Sequence, residues 1–236
     1  MDTGAGESGE PFAASKLGCK EHWDRVYDDE LANFDSSGDI GEVWFGEDVA
    51  EKMVDWVCDN VSDRSARVLD VGCGNGHLLA QLAERGFANL TGADYSAQAV
   101  ALATKVNADT AAGRAIAFVA LDFLDLRAVE RVAGDRRFDV VLDKGTYDAV
   151  CLRPQDGAGG AAVDQAAIDA YPASVAASLS DAGVFLITSC NWTEAELTAR
   201  FAGRLQRVGR VSHPSFQFGG VVGQTVSTVA FRRSGD

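Results

Sequence analysis

Arg67-Val68-Leu69-Asp70-Val71-Gly72-Cys73-Gly74-Asn75-Gly76-His77 decides how the rest of this 236-residue chain is read. Arg67–Val71 is a short apolar run of the kind buried inside a sheet. Three glycines then alternate with other residues, which lets backbone approach a ligand where a Cβ would collide. Residues 77–85 predict a helix, with Leu78, Leu79, Leu82 and Ala83 on one face and Gly86 as its stop. Strand, glycine loop and helix in that order present free N–H groups at a helix N-terminus.

The same alternation continues toward the C-terminus. Strands are expected at 90–93, 115–121, 138–142 and 184–188. Helices are expected at 97–108, where Ser96 caps, in a short segment after the third strand, and at 164–179, where Pro172 should kink or restart the helix. Thr193 and Glu196 form a capping-box pair opening another helix. Strands at 208–212 and 225–231, joined by a turn around Gly219 and Gly220, close the chain. Before Arg67, residues 46–60 carry apolar side chains at helical spacing. Strands alternating with helices predict parallel βαβ units with right-handed crossovers. The expected fold is α/β: a doubly wound, mostly parallel seven-stranded sheet with helices on both faces and an antiparallel edge hairpin. Residues 1–20 read as a flexible N-terminal segment and 21–236 as one domain, with 21–63 an acidic extension that is helical in part. Residues 157–162 read as a surface loop.

In an open α/β sheet, ligands bind outside the carboxyl ends of the strands. Asp70 stands two residues before the first glycine, where it would repel a pyrophosphate and attract an amino group. The dinucleotide fingerprint needs a small residue at position 77, where His77 stands. Asp94, with Tyr95 beside it, ends the second strand, and a carboxylate there can accept both hydroxyls of a ribose. Asp122-Phe123 ends the third, a pairing suited to an adenine's amine and ring face. An amino-acid end, a ribose, an adenine and no phosphate describe S-adenosylmethionine. The bland alternative makes these three acids ordinary strand-end residues. Gly72, Cys73, Gly74 and Asn75 complete the expected cofactor loop.

These residues resemble the class I, seven-stranded S-adenosylmethionine-dependent methyltransferases. Four further segments narrow the resemblance: Glu42-Val43-Trp44-Phe45-Gly46, Asp143-Lys144-Gly145-Thr146-Tyr147-Asp148-Ala149, Thr188-Ser189-Cys190-Asn191-Trp192-Thr193 and Phe216-Gln217-Phe218-Gly219-Gly220. Together they are similar to the eukaryotic protein-lysine methyltransferases that modify translation elongation factor 1-alpha. The resemblance implies a protein-lysine N-methyltransferase using S-adenosyl-L-methionine on that factor in the cytoplasm. A small-molecule methyltransferase and a non-catalytic cofactor-binding scaffold are the competing readings.

A lysine amine must be neutral to attack, against a reference pKa of about 10.4. Asp143, at the end of the fourth strand, is the candidate catalytic residue, orienting the amine or taking its proton. Alternatively, it binds the cofactor's methionine end or braces the following loop. Tyr147, Asn191 and Trp192 are candidate substrate contacts, with packing and loop structure as their alternatives. Trp44 is a candidate lid over the cofactor, with plain core packing as its alternative, and Lys144 reads as a surface or loop-bracing residue rather than a catalytic lysine. Phe216 and Phe218 either face substrate or pack.

Composition narrows the classes. The net charge is −14, which disfavours nucleic-acid binding. Between Glu21 and Asp63 stand 14 acidic residues against Arg25 and Lys52, a net −12. That segment is either a solvated face or a docking surface for a basic protein. Five cysteines without a CxxC, and three histidines without ligand spacing, argue against a disulfide framework and against a metal site. No run is long and apolar enough for a membrane span. The chain is expected to act as a monomer.

Overall fold

The computed structural model describes residues 13–155, 161–218 and 221–234. Its elements are α1 (Lys20–Ser37), α2 (Glu47–Asn60), β1 (Arg67–Val71), α3 (His77–Glu84), β2 (Asn89–Asp94), α4 (Ala97–Val106), α5 (Ala111–Arg114), β3 (Ala117–Ala120), α6 (Leu126–Ala133), β4 (Phe138–Lys144), α7 (Thr146–Cys151), α8 (Gln165–Ser178), β5 (Leu179–Ser189), α9 (Glu194–Phe201), β6 (Leu205–Val211), β7 (Ser215–Phe218), β8 (Val221–Gln224) and β9 (Ser227–Arg233).

A seven-stranded sheet runs in the order β3-β2-β1-β4-β5-β9-β6. The first five strands are parallel and β9 is antiparallel to both its neighbours. The order reverses between β1 and β4, which pair with Val71 opposite Asp143. A crevice therefore opens at the carboxyl ends of those two strands.

Strand parity sorts the core. Val71, Val141, Phe185 and Ile187 face a cluster containing Tyr147, Tyr171 and Phe201. Val68, Val140, Leu142 and Leu186 face the other cluster, built with Met53 and Val57 of α2 and Leu79 of α3. Side chains at alternate strand positions thus supply two separate cores.

Several local expectations need correction. The strands at 208–212 and 225–231 do pair, as β6 and β9, but they are not one hairpin. A separate two-stranded ribbon, β7 with β8, lies between them. The turn at Gly219 and Gly220 lies outside the described residues, as do the side chains of Phe216 and Phe218 and most of the loop at 157–162. Helix α8 runs through Pro172 unbroken. A helix-interior proline costs about 3 kcal/mol. Burial of Ile168, Tyr171 and Val175 on both sides of it outweighs that, at about 1.5–3 kcal/mol per large side chain.

The N-terminal segment divides. Residues 1–12 lie outside the described part, whereas 13–20 are anchored rather than free. Ala14 N–H donates to Ala161 O and Ser15 N–H to Leu152 O, both at 3.0 Å. Ser15 caps a single 3-10 turn, Lys16–Gly18, and Trp23 Nε1 donates to Leu17 O at 2.7 Å. In α1, Trp23, Tyr27, Leu31 and Phe34 form a stripe packed on Ala99 and Leu102 of α4.

Candidate active site

The crevice at the strand ends is a cleft of about 600 Å³. Its floor is the glycine loop. Gly72, Gly74 and Gly76 all have positive φ, at 66°, 52° and 76°, where a Cβ is disfavoured. At Gly72 a Cβ would overlap Thr146 Oγ1, and that hydroxyl donates to Val71 O at 2.6 Å. The loop is therefore packed directly against the start of α7.

Asp94 ends β2 and is almost fully buried while lining the cleft. Its Oδ2 accepts from Gly74 N–H at 3.2 Å and its Oδ1 from Ser96 N–H at 2.9 Å. Burial pushes its carboxyl up to about 6, against the pull of those two donors. Tyr95 is half-buried beside it, under the Lys20 ammonium at 5.7 Å. Asp122 is exposed at the cleft edge with its Oδ1 accepting from Leu124 N–H at 2.9 Å. Phe123 is buried against Tyr171 at 5.3 Å between ring centroids.

The opposite wall comes from the segment between α1 and α2. Asn75 Nδ2 donates to Ile40 O at 2.9 Å, and Lys144 Nζ donates to Trp44 O at 2.8 Å. These bonds tie the Trp44-Phe45 turn across the loop and the end of β4. Trp44 also meets Trp23 edge-on at 5.0 Å.

Of the residues expected at the site, the structure brings Trp44, Gly72, Cys73, Gly74, Asn75, Asp94, Tyr95, Asp122, Phe123 and Asn191 into the cleft wall. Four others are not in that wall. Asp70 is 3% exposed and lies beneath the loop, on the α2 and α3 face of β1, near Lys144. Burial pushes its carboxyl up to about 7, while the neighbouring Lys144 ammonium pulls it down. Asp143 has no exposed surface, and its carboxylate is filled from within. Oδ1 accepts from Thr146 N–H at 2.7 Å, and Oδ2 accepts from Tyr147 N–H at 3.1 Å and from the Tyr171 hydroxyl at 2.6 Å. That is the brace among its alternatives. Tyr147 is a core residue, stacked on Trp192 at 6.0 Å and close to Tyr171 and Phe201. Trp192 packs inward too, with the Arg200 guanidinium over its outer face at 5.0 Å.

Sequence reasoning missed two contributors. Helix α1 supplies Lys20, Glu21, Trp23 and Tyr27 to the wall. The Tyr27 hydroxyl lies so near Gly74 that a Cβ there would come within 2.9 Å of it. The signal was the four-residue spacing of Trp23, Tyr27 and Leu31. The other is Asp148, 5% exposed and lining the cleft. Its Oδ1 accepts from Ser189 Oγ at 2.5 Å and its Oδ2 from Cys190 N–H at 2.8 Å. Only its place five residues after Asp143, across one turn, marked it.

The donor set fits a ligand carrying an amine and sugar hydroxyls. The acids nearest the glycine loop are buried carboxylates, which disfavour a pyrophosphate there and accept hydrogen bonds from hydroxyls. Residues 62–216 match the model of a family described as a methyltransferase domain. The chain is 40% identical over 226 residues to EEF1A lysine methyltransferase 2 of Danio rerio, covering 95% of this chain and 91% of the relative. It is 38% identical to the Homo sapiens protein of that name, covering 97% and 90%. It is also 38% identical to protein-lysine N-methyltransferase EFM4 of Saccharomyces cerevisiae, covering 93% and 96%. Among solved structures, N-methyltransferase NodS of Bradyrhizobium japonicum with S-adenosyl-L-homocysteine superposes with a TM-score of 0.60 at 16% identity, covering 89% of this chain and 98% of that one. Magnesium protoporphyrin IX methyltransferase of Synechocystis with bound SAM gives 0.58 at 16% identity, covering 90% and 97%.

Proposed function

The chain belongs to the S-adenosylmethionine-dependent methyltransferases, in the branch of the EEF1A lysine methyltransferases, and from that premise we propose that it methylates a lysine of translation elongation factor 1-alpha. It is a protein-lysine N-methyltransferase with S-adenosyl-L-methionine as methyl donor. The observation that carries the reading at the level of the site is the switch-point cleft, in which a glycine loop and the buried Asp94 carboxylate share one wall.

Each half of the cleft has a job. Asp94 retains lone pairs beyond its two loop bonds, and these would accept ribose hydroxyls. Asp122 and Phe123 would hold the adenine by its amine and one ring face. The glycine loop would lie along the amino-acid end, with Trp44 closing over it. Lys144 ties the Trp44 turn beside that loop, and Asp70 lies buried beneath it. Bound S-adenosylmethionine would supply an electrophilic methyl group, carried on a sulfonium, to the amine lone pair. The protein's part is to position the amine and exclude water.

The acidic stretch 21–63 is suited to a basic protein surface, and its first helix forms one lip of the cleft. No described helix is long and apolar enough to cross a membrane, and a translation-factor substrate goes with a cytoplasmic location. The test is incubation with methyl-labelled S-adenosylmethionine and purified elongation factor 1-alpha, followed by mass spectrometry of the factor. Label on a lysine supports the reading. Label confined to small metabolites, or cofactor binding without transfer, overturns it.

A further inference from the structure

We propose that Asp148, rather than Asp143, is the carboxylate that receives and orients the amine of the incoming lysine. This rests on the reading of the chain as a lysine methyltransferase.

Strand parity removes Asp143 from contention. Its side chain leaves β4 on the same side as Val141, toward Tyr147 and Tyr171, and ends in a closed set of donors. Asp148 lies in the first turn of α7 and forms part of the cleft wall. Among the described residues, four other acids share the wall. Asp94 and Asp122 stand at the ends of β2 and β3, over the nucleoside half. Glu21 and Glu42 are solvent-exposed on the N-terminal lip. Asp148 alone of the five is both buried and on the β4 and β5 side, beside Cys190 and Asn191.

Its geometry suits a receiver of N–H groups. Ser189 Oγ holds one oxygen and Cys190 N–H the other, so the group is fixed in direction. Those two bonds leave a second lone pair on each oxygen, with the Cys190 thiol and Asn191 N–H also close to the group. Burial raises the carboxyl, and the Ser189 hydroxyl, the Cys190 N–H and thiol and the Asn191 N–H pull it back. An uncharged lysine amine donating one N–H to this carboxylate has its own lone pair directed by the contact. The proton that makes the amine neutral leaves to water through the open mouth. The carboxylate is set before substrate arrives, so little reorganisation remains at the moment of transfer.

The test measures lysine methylation and S-adenosyl-L-homocysteine affinity for the unmodified chain, Asp148→Asn and Ser189→Ala. Asn at 148 keeps the size and one accepting oxygen but loses the charge. Ala at 189 disturbs the turn more, since Ser189 Oγ also accepts from Asn191 and Trp192 N–H at 3.1 and 3.0 Å, yet it leaves the carboxylate in place. The expected result for Asp148→Asn is a fall in kcat of about a hundredfold, the size of a positioning loss, with calorimetric affinity for the homocysteine product within about threefold. Ser189→Ala should lose less than about tenfold. Equal losses in the two variants would reduce Asp148 to a turn brace and overturn the proposal, as would a threefold or smaller loss in Asp148→Asn. Absence of lysine label with the unmodified chain would instead sink the functional reading, and this proposal with it.

Discussion

Asp143 Oδ2 and the Tyr171 hydroxyl meet at 2.6 Å, and neither side chain reaches solvent. The bond joins the end of β4 to the middle of α8. Thr146 and Tyr147 N–H complete the ring of donors, so the carboxylate holds the first turn of α7 in place. Asp148 and Thr146 both lie on that turn, so the brace sets the cleft wall without entering it.

This placement has a pH signature. Burial pushes the Asp143 carboxyl from 3.8 up to about 7, despite the Tyr171 hydroxyl and the two N–H donors. A folded value above the unfolded one means the native chain binds the proton more tightly. As pH rises from about 4 to about 7, the unfolded chain ionises freely while the fold resists, so this group's contribution to stability falls. Asparagine cannot ionise. The melting temperature of Asp143→Asn relative to the unmodified chain should therefore climb across that window and level off above it. A difference that stays constant with pH would show that Asp143 is not buried as described.

Asp94 carries the complementary prediction for binding. Asp94→Ala removes the acceptor facing the ribose position and frees Gly74 N–H. Hydrogen bonds to a charged group contribute about 1.5–3 kcal/mol, or about tenfold to a hundredfold in affinity. Calorimetry with S-adenosyl-L-homocysteine should show a loss of that size. The exposed Asp122 should matter less, with Asp122→Asn costing under about tenfold. A larger effect at Asp122 than at Asp94 would invert the assignment of the two strand ends.

The sheet, the glycine loop and Asp94 were legible because each rests on a local rule. Apolar runs bounded by glycines mark buried strands, and strand ends mark ligand positions. Strand direction in space was not legible. Asp143 and Lys144 are neighbours on β4, so one must point to each face, and nothing in their order says which faces the cleft. The structure gives Lys144 to the Trp44 side and Asp143 to the Tyr171 side. Tyr147 and Trp192 read as cleft aromatics for the same reason, since an aromatic beside a site motif packs inward as readily as outward. Helix α1 stayed hidden because its apolar stripe is narrow within a strongly acidic segment, and the ribbon β7 with β8 because its strands are four residues each.

The aromatic cluster behind the site gives a stability prediction. Tyr147 is fully buried among Tyr171, Trp192 and Phe201. Truncation to alanine leaves a large void, and comparable aromatic truncations cost about 3–5 kcal/mol. Urea unfolding of Tyr147→Ala should show that loss. Tyr147→Phe keeps the ring, so its stability should change by under about 1.5 kcal/mol and its KM for the protein substrate should hold. A Tyr147→Phe variant that folds normally but has a raised substrate KM would return Tyr147 to the substrate channel.

Charge on the N-terminal lip leads to a kinetic prediction. The segment from Glu21 to Asp63 carries a net −12, and α1 extends its acidic face outward from the cleft through the exposed Asp28 and Asp29. Long-range attraction between such a face and a basic protein acts mainly on encounter, and salt screens it. The Debye length falls from about 10 Å at 0.1 M to about 3 Å at 1 M. Accordingly, kcat/KM for the protein substrate should drop several-fold over that range, mostly through KM. Replacing Asp28 and Asp29 by asparagine should reproduce part of the loss at low salt and leave S-adenosyl-L-homocysteine binding untouched, because neither residue is part of the cleft wall. If methylation of the factor is indifferent to both salt and the double replacement, the acidic face serves solubility and another surface recognises the partner.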